Sequence, residues 1–133
     1  MIDKTHRFQG HGSLRFVYQK GQTVRGQFCS LKYIVNKRRR KFRVAVVVSR
    51  KVHKSAVVRN RIRRRIYEAV RKNTVRIVQP FDLVLTAYSD QLAEMPAEQL
   101  EAAVVEKLEK AGIFDLPSKS QMPARGIVEP KEN

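Results

Sequence analysis

The residues able to do chemistry are concentrated in one stretch, Ser49 to Lys72, SRKVHKSAVVRNRIRRRIYEAVRK, in which ten residues are Lys or Arg and Glu68 is the only acid. Side chains of this kind at this density bind anions; they do not break bonds. A guanidinium presents a planar fork of donors that matches two phosphate oxygens or a guanine edge, which a lysine point charge does not. With 3.6 residues per turn, Val58, Ile62, Ile66, Ala69 and Val70 fall on one arc, so the spacing predicts a helix with a dry face. Asn60, Arg61, Arg64, Arg71 and Lys72 point away from that arc. Arg59, Arg63 and Arg65 lie at its edges, where their stems can rest on apolar surface while the charged heads reach outward.

A helix whose charges serve only solubility mixes signs at three- and four-residue spacing. Here Arg59 and Arg63, Arg61 and Arg64, and Arg61 and Arg65 are like-charged neighbours, a repulsion that an external polyanion would relieve. Arg50, Lys51, Lys54, Arg59, Arg61, Arg63, Arg64 and Arg65 form a set suited to reading RNA, whose helices display phosphates and 2′-hydroxyls and hide their deep groove. Asn60 both donates and accepts, and either contacts a base or ribose or bonds only to its own helix neighbours. Each duplex phosphate neutralised adds roughly −0.9 to the slope of log affinity against log salt, so binding through about six of these groups is strongly salt-sensitive.

Other chemistries lack their residues. His6, His11 and His53 have no HExxH spacing and no ligand set around them. A two-metal nuclease needs converging carboxylates, yet the first 80 residues hold only Asp3 and Glu68, and Asp82 stands alone at the start of a strand, where a structural role is expected. There is no GxxxxGK[ST] phosphate loop. Cys29 is the sole cysteine, which allows neither an internal disulfide nor a cysteine-based zinc site. The polypeptide alone is expected to be non-catalytic and to hold no metal.

The elements that must position the arginines fit one domain of 133 residues, 42% hydrophobic and 30% charged. Residues 1–80 carry 23 basic and 2 acidic side chains, whereas residues 81–133 carry 5 and 10, so the basic field belongs to the first part of the chain. Such a field draws nucleic acid or an anionic membrane surface. The longest apolar run, Val44 to Val48, falls far short of the ~20 residues of a crossing helix. MIDKTHRF lacks the apolar stretch of a secretory signal, so the protein is expected to stay inside the cell, in the cytoplasm.

Ser13 is a candidate cap for a short helix ending at Gly21, with Leu14, Val17 and Tyr18 on one face. Gln27 to Asn36 alternates as a strand, and Lys37 to Lys41, KRRRK, is a basic turn leading to Phe42–Ser49, whose β-branched density suggests a central strand. Ser55 is the expected N-cap of the cationic helix, which runs to about Lys72. Phe81 to Tyr88 is a further strand. Strands flanking a helix imply a crossover and a sheet covered on one side. A last helix starts near Pro96, buries Leu100, Val104, Leu108 and Ala111, places Lys107 and Lys110 at its negative end, and stops at Gly112. A loose tail is expected from Asp115.

Phe8, Leu14, Phe16, Tyr18, Phe28 and Tyr33 could offer rings on which unpaired bases stack. Aromatics at helix and strand spacing are usually core, which is the expectation for Phe16, Phe28 and Phe42. Tyr18 and Tyr33, whose hydroxyls seek a wet edge, stay open between the two.

Ser49-Arg50-Lys51-Val52, followed by Ala56-Val57-Val58-Arg59-Asn60-Arg61-Ile62-Arg63-Arg64, resembles the signature of the protein subunit of bacterial ribonuclease P, with its Arg-Asn-Arg helix. The likeness runs from about His6 to Phe114. It implies an α+β fold, a single-domain α/β sandwich with a mixed sheet and a left-handed βαβ crossover carrying that helix, over residues 1–114, with 115–133 as a flexible tail. It further implies endonucleolytic removal of the 5′ leader of precursor tRNA, in which catalysis and most Mg²⁺ binding belong to the RNA subunit and substrate, with one protein chain per RNA. Carried over, Arg59, Asn60, Arg61, Arg63, Arg64 and Arg65 meet the RNA subunit, joined by Arg50, Lys51 and Lys54. Leu14, Phe16, Tyr18 and Tyr33 would line a cleft for the single-stranded leader. The chain departs from the pattern at Leu14, where an aromatic is common, at His53, where a small residue is frequent, and in the basicity of KRRRK. A structural RNA-binding protein, such as a ribosomal component, and a self-sufficient metal nuclease are the competing readings.

Overall fold

The computed structural model describes His6, Arg7 and residues 12–114, with only the backbone of Gly12 and Ser13. Phe8, His11 and the tail from Asp115 onward lie outside the described residues. In chain order come helix α1 (Gly12–Lys20), strands β1 (Gln22–Val24), β2 (Cys29–Val35) and β3 (Arg43–Val48), helix α2 (Ala56–Arg71), strand β4 (Phe81–Ala87) and helix α3 (Ala97–Lys110). Two 3-10 turns, Thr74–Arg76 and Asp90–Ala93, precede β4 and α3. The strands form one mixed sheet in the order β1-β2-β4-β3, antiparallel except for the β3/β4 pair. This is the expected α+β sandwich, with α2 as the crossover between two parallel strands.

Strand β4, not β3, is central. Leu83 and Leu85 are 0% exposed and Val84, which points to the opposite face, is 1% exposed. The unbroken apolar run Leu83-Val84-Leu85 is the mark of a strand buried on both sides. The β-branched richness of β3 instead serves an edge strand whose outer side is closed by other groups. Arg7 forms a parallel bridge with Val44, the Val46 N–H donates to the Tyr67 hydroxyl at 3.3 Å, and Arg63 Nη2 donates to the Val48 carbonyl at 3.4 Å. His6 stacks on Phe42 at 4.0 Å, beside a 2.9 Å bond between His6 Nδ1 and the Phe42 carbonyl. Covering an edge in this way removes a template for strand addition. The KRRRK turn is likewise no hairpin tip, because β4 lies between β2 and β3 and the turn passes across its end.

Alternation along the strands separates two faces. Leu31, Val44, Val46, Leu83 and Leu85 face the layer formed by Ile62, Ile66 and Val70 of α2 and Leu100, Val104 and Leu108 of α3. Ser30, Lys32, Ala45, Val47, Val84 and Thr86 face the other way. There α1 packs, burying Val17 completely, and Lys32 Nζ donates to the Tyr18 carbonyl at 3.2 Å. The sheet is therefore covered on both sides, contrary to the expectation of one. Gly21 joins α1 to the sheet at close range: a Cβ there would lie 2.6 Å from the Val17 carbonyl oxygen and 2.9 Å from that of Tyr33.

The helix boundaries follow local chemistry. Ser55, extended at φ −76° and ψ 124°, accepts the Val58 N–H on its hydroxyl, the expected N-cap of α2. Helix α1 begins at Gly12, which places Ser13 inside the first turn and not before it. At the end of α3, Gly112 adopts φ 75° while its N–H and that of Ile113 return to the carbonyls of Glu109 and Leu108. This double closure needs a left-handed residue, which glycine supplies without a Cβ clash. Lys107 and Lys110 lie in the last turn of α3, as expected, and Lys107 is buried there. It is 5% exposed, its stem lies over Gly26, and its ammonium donates to Glu106 at 2.8 Å.

Candidate nucleic-acid interface

Helix α2 turns its two sides as the arc predicts. Ile62, Ile66 and Val70 are fully buried, Ala69 nearly so, and Val58 packs on the core edge. Asn60, Arg61, Arg64, Arg71 and Lys72 are exposed, and Arg59, Arg63 and Arg65 are half-buried. Burial of the aliphatic arc, at roughly 1.5–3 kcal/mol for each large side chain, fixes the rotation of the helix and hence the direction of the arginines.

The forks are not equivalent, and this corrects the expectation that only an outside polyanion relieves their repulsion. Arg65 Nη1 donates to the Leu92 carbonyl at 2.7 Å and Nη2 to the Met95 carbonyl, so its charge closes the end of the Asp90–Ala93 turn. Such carbonyls have no partners of their own where a helix stops, and a cation there satisfies them. Arg59 Nη1 reaches the carbonyls of His53 and Lys54, tying the SRKVHK loop to the helix. Arg63 donates to Asn60 Oδ1, which settles one side of the Asn60 amide on its own helix and leaves the amide nitrogen without a partner among the described residues. Arg61 donates through Nε to the Ala93 carbonyl at 2.7 Å, yet its side chain is 51% exposed, with Glu94 at 3.8 Å.

Arg64 is exposed and makes no hydrogen bond or ion pair among the described residues, and the side chains of Arg50, Lys51 and Lys54 are in the same state. The cations with no side-chain partner among the described residues thus lie on the lead-in loop, at Arg50, Lys51 and Lys54, and near the middle of α2, at Arg64. The C-terminal part is neutralised. Arg71 holds the Glu68 carboxyl below the usual carboxylate range by a direct hydrogen bond, Lys72 lies 3.9 Å from Glu101, and Arg76 lies 3.7 Å from Glu109. Between α2 and α3 a groove of about 470 Å³ is lined by Arg61, Arg64, Arg65 and Lys72 together with the acids Glu68 and Glu101, over Ala69 and Leu100.

The expected cleft residues divide. Leu14, Phe16 and Tyr18 share α1, with Phe16 43% and Tyr18 45% exposed; Phe16 is therefore not core. Phe42 is core at 1% exposed, and Phe28 is half-buried against the core. Tyr33 lies on the opposite side of the sheet, its ring edge-on to Phe81 at 6.4 Å and its hydroxyl donating to Gln22 Oε1 at 2.9 Å. The structure does not bring it to α1. On the face that α1 shares, the half-buried Ala45, Val47 and Thr86 lie alongside, residues that sequence reasoning passed over because small and apolar types carry no chemical signature.

Among the described residues no group of three or more His, Cys, Asp or Glu is placed to hold a metal ion, and the donors of these exposed side chains are cationic nitrogens, which suit phosphate and not the oxygen-seeking Mg²⁺. No described helix is long and apolar enough to cross a membrane. Cys29 is buried, and its thiol is pushed up in pKa first by that burial.

Fold and site together define a small basic α+β sandwich that presents an arginine-rich helix, exposed on the side away from the core. Residues 2–112 match the family description Ribonuclease P. The ribonuclease P protein component of Chloroflexus aurantiacus is 33% identical over 86% of this chain and 84% of its own length, and that of Clostridium botulinum is 34% identical over 84% and 99%. The solved RNase P protein of Staphylococcus aureus superposes with a TM-score of 0.73 at 25% identity, covering 83% of this chain and 98% of that one. The chain belongs to the ribonuclease P protein family.

Proposed function

We propose that the chain is the RNA-binding protein subunit of a ribonuclease P ribonucleoprotein of the cytoplasm, which binds the catalytic RNA subunit and the 5′ leader of precursor tRNA and promotes removal of that leader. The observation that carries this reading is the set of exposed cations Arg50, Lys51, Lys54 and Arg64, which have no acid among the described residues, together with the half-exposed Arg61 beside Glu94, on and before a helix docked through Ile62 and Ile66. Preorganised guanidinium groups bind phosphate without first ordering a loop. Asn60 and Arg63 complete the RNA-facing set, while Arg59 and Arg65 hold the loop and the 3-10 turn that frame it.

Exposed Phe16 and Tyr18, which flank the buried Val17 on opposite sides of α1, each offer a ring on which an unpaired leader base can stack, Tyr18 with Leu14 one turn before it, while Ala45, Val47 and Thr86 lie on the sheet face that α1 shares. Hydrolysis and the Mg²⁺ it needs belong to the RNA subunit and the substrate, with one protein chain per RNA. The polypeptide contributes electrostatic clamping and placement of the leader. The test is cleavage of precursor tRNA by the purified chain with and without the RNA subunit. Cleavage should occur only when RNA is present and should be stimulated by the chain; cleavage by the protein alone, or no stimulation, would overturn the reading.

A further inference from the structure

The KRRRK turn plays no part in the interface above, and its location gives it a separate use. Helix α2 starts where β3 ends and finishes where β4 begins, so the SRKVHK loop lies at one end of the sheet and Lys37–Lys41 at the other. The six residues of β3, at roughly 3.3 Å each, set the two about 20 Å apart. That is some two Debye lengths at physiological ionic strength, so a phosphate neutralised by one cluster is invisible to the other.

The turn is built and not loose. Asp82, fully buried, receives Arg43 Nε and Nη2 at 3.0 and 2.9 Å and the Asn36 amide at 3.0 Å. One carboxylate therefore holds the residue before the turn and a residue just after it. Asn36 passes the order on: its Oδ1 accepts the Arg38 N–H at 3.1 Å, its carbonyl accepts the Arg39 N–H, and its own N–H donates to the Pro80 carbonyl.

The side chains are left unneutralised. At this same end Arg71, Lys72 and Arg76 each have an acid, yet no side chain of Lys37, Arg38, Arg39, Arg40 or Lys41 makes a hydrogen bond or ion pair among the described residues. Lys37, Arg38, Arg40 and Lys41 are exposed, and Arg39 keeps a buried Nε with no acceptor, a cost that swinging outward onto an anion would remove.

We propose that Lys37–Lys41 is a second RNA contact, which takes the sugar-phosphate backbone of a segment of the bound RNA distinct from the one gripped by α2, so that the domain bridges two segments about 20 Å apart. The identity of that RNA rests on the function proposed above; the existence of the second contact does not rest on the α2 residues.

The experiment measures affinity for the ribonuclease P RNA as a function of salt. It compares the wild-type chain, a turn variant (Lys37→Ser, Arg38→Ser, Arg40→Ser, Lys41→Ser), an α2 variant (Arg61→Ala, Arg64→Ala) and their combination. All of these spare Asn36, Arg43 and Asp82. The turn variant should flatten the log–log slope by roughly three to four units, at about 0.9 per contact, weaken binding at least about tenfold, and add to the α2 variant. Should the turn variant lose native circular dichroism, the exposed pair Arg40→Glu and Lys41→Glu is measured in its place. Wild-type affinity and slope for the turn variant, with the α2 variant impaired, would overturn the second contact, assign the turn to an acidic protein surface or to solvent, and leave the proposed function standing. Wild-type behaviour of both variants would overturn both.

Discussion

Arg65 and Leu92, 27 residues apart in sequence, are joined by a 2.7 Å hydrogen bond from guanidinium to carbonyl. Its neighbour Arg64 makes no such bond among the described residues. Two adjacent arginines in one motif thus divide the work: one closes the turn that leads to α3, the other stays available to an anion.

Replacing each should separate stability from binding. Arg65→Ala removes charge-assisted bonds to the Leu92 and Met95 carbonyls and should lower unfolding free energy by about 1.5–3 kcal/mol. Arg64→Ala should leave the denaturant midpoint within about 0.5 kcal/mol of wild type and weaken RNA binding. Urea unfolding followed by circular dichroism, beside RNA binding, checks both; equal stability losses would refute the division.

Asp82 sits at the centre of a buried pair with Arg43 that also holds Asn36. Asp82→Ala removes the buried carboxylate that Arg43 and Asn36 share and should cost about 3–5 kcal/mol. Thermal unfolding measures this, and a loss below about 1 kcal/mol would show that the pair does not hold the turn.

Gly21 has no room for a side chain between the carbonyls of Val17 and Tyr33. Gly21→Ala must push α1 from β2, at a cost of about 1–3 kcal/mol as for other overpacked sites, and should raise hydrogen exchange in α1 before α2. Unchanged protection across α1 would contradict the close approach.

Cys29 lies buried, and burial raises its pKa. At neutral pH the thiolate fraction is below that of a free thiol, so the folded protein should react with a disulfide reagent far more slowly than the unfolded one. The sign of the linkage follows: the unfolded chain ionises first, so stability is undiminished below the free-thiol range and declines as pH rises through it. Fast labelling of the native chain at neutral pH would contradict the burial.

Tyr18 is 45% exposed on α1, one turn after Leu14. Tyr18→Ala should weaken binding of precursor tRNA to the reconstituted particle by about 1–3 kcal/mol per stacked base and leave mature tRNA unaffected, since only the precursor has a leader. Equal losses for both substrates would remove the stacking surface.

The cationic helix was legible because periodicity and charge act locally: Ile62 and Ile66 inward and Arg61 and Arg64 outward follow from spacing alone. The Ser55 cap and the Gly112 stop are also local signals. What was not legible depends on partners distant in sequence. Nothing near Arg65 announces the carbonyls of Leu92 and Met95. β3 reads as a central strand until Arg7, Tyr67 and Arg63 are seen closing its edge. β1 is three residues long and half exposed, too short to show alternation. The separation of Tyr33 from Tyr18 turns on which face α1 covers, a tertiary choice with no local trace.

The central claim is that the exposed guanidinium and ammonium groups of α2 and its lead-in loop grip RNA phosphates. The measurement that tests it most directly is the salt dependence of binding to the ribonuclease P RNA for the wild-type chain and for Arg50→Ala, Lys51→Ala, Lys54→Ala, Arg61→Ala and Arg64→Ala combined. At roughly 0.9 per contact, the slope of log affinity against log salt should flatten by about four units in the variant, with the circular dichroism unchanged. A folded variant with the wild-type slope and affinity would contradict it.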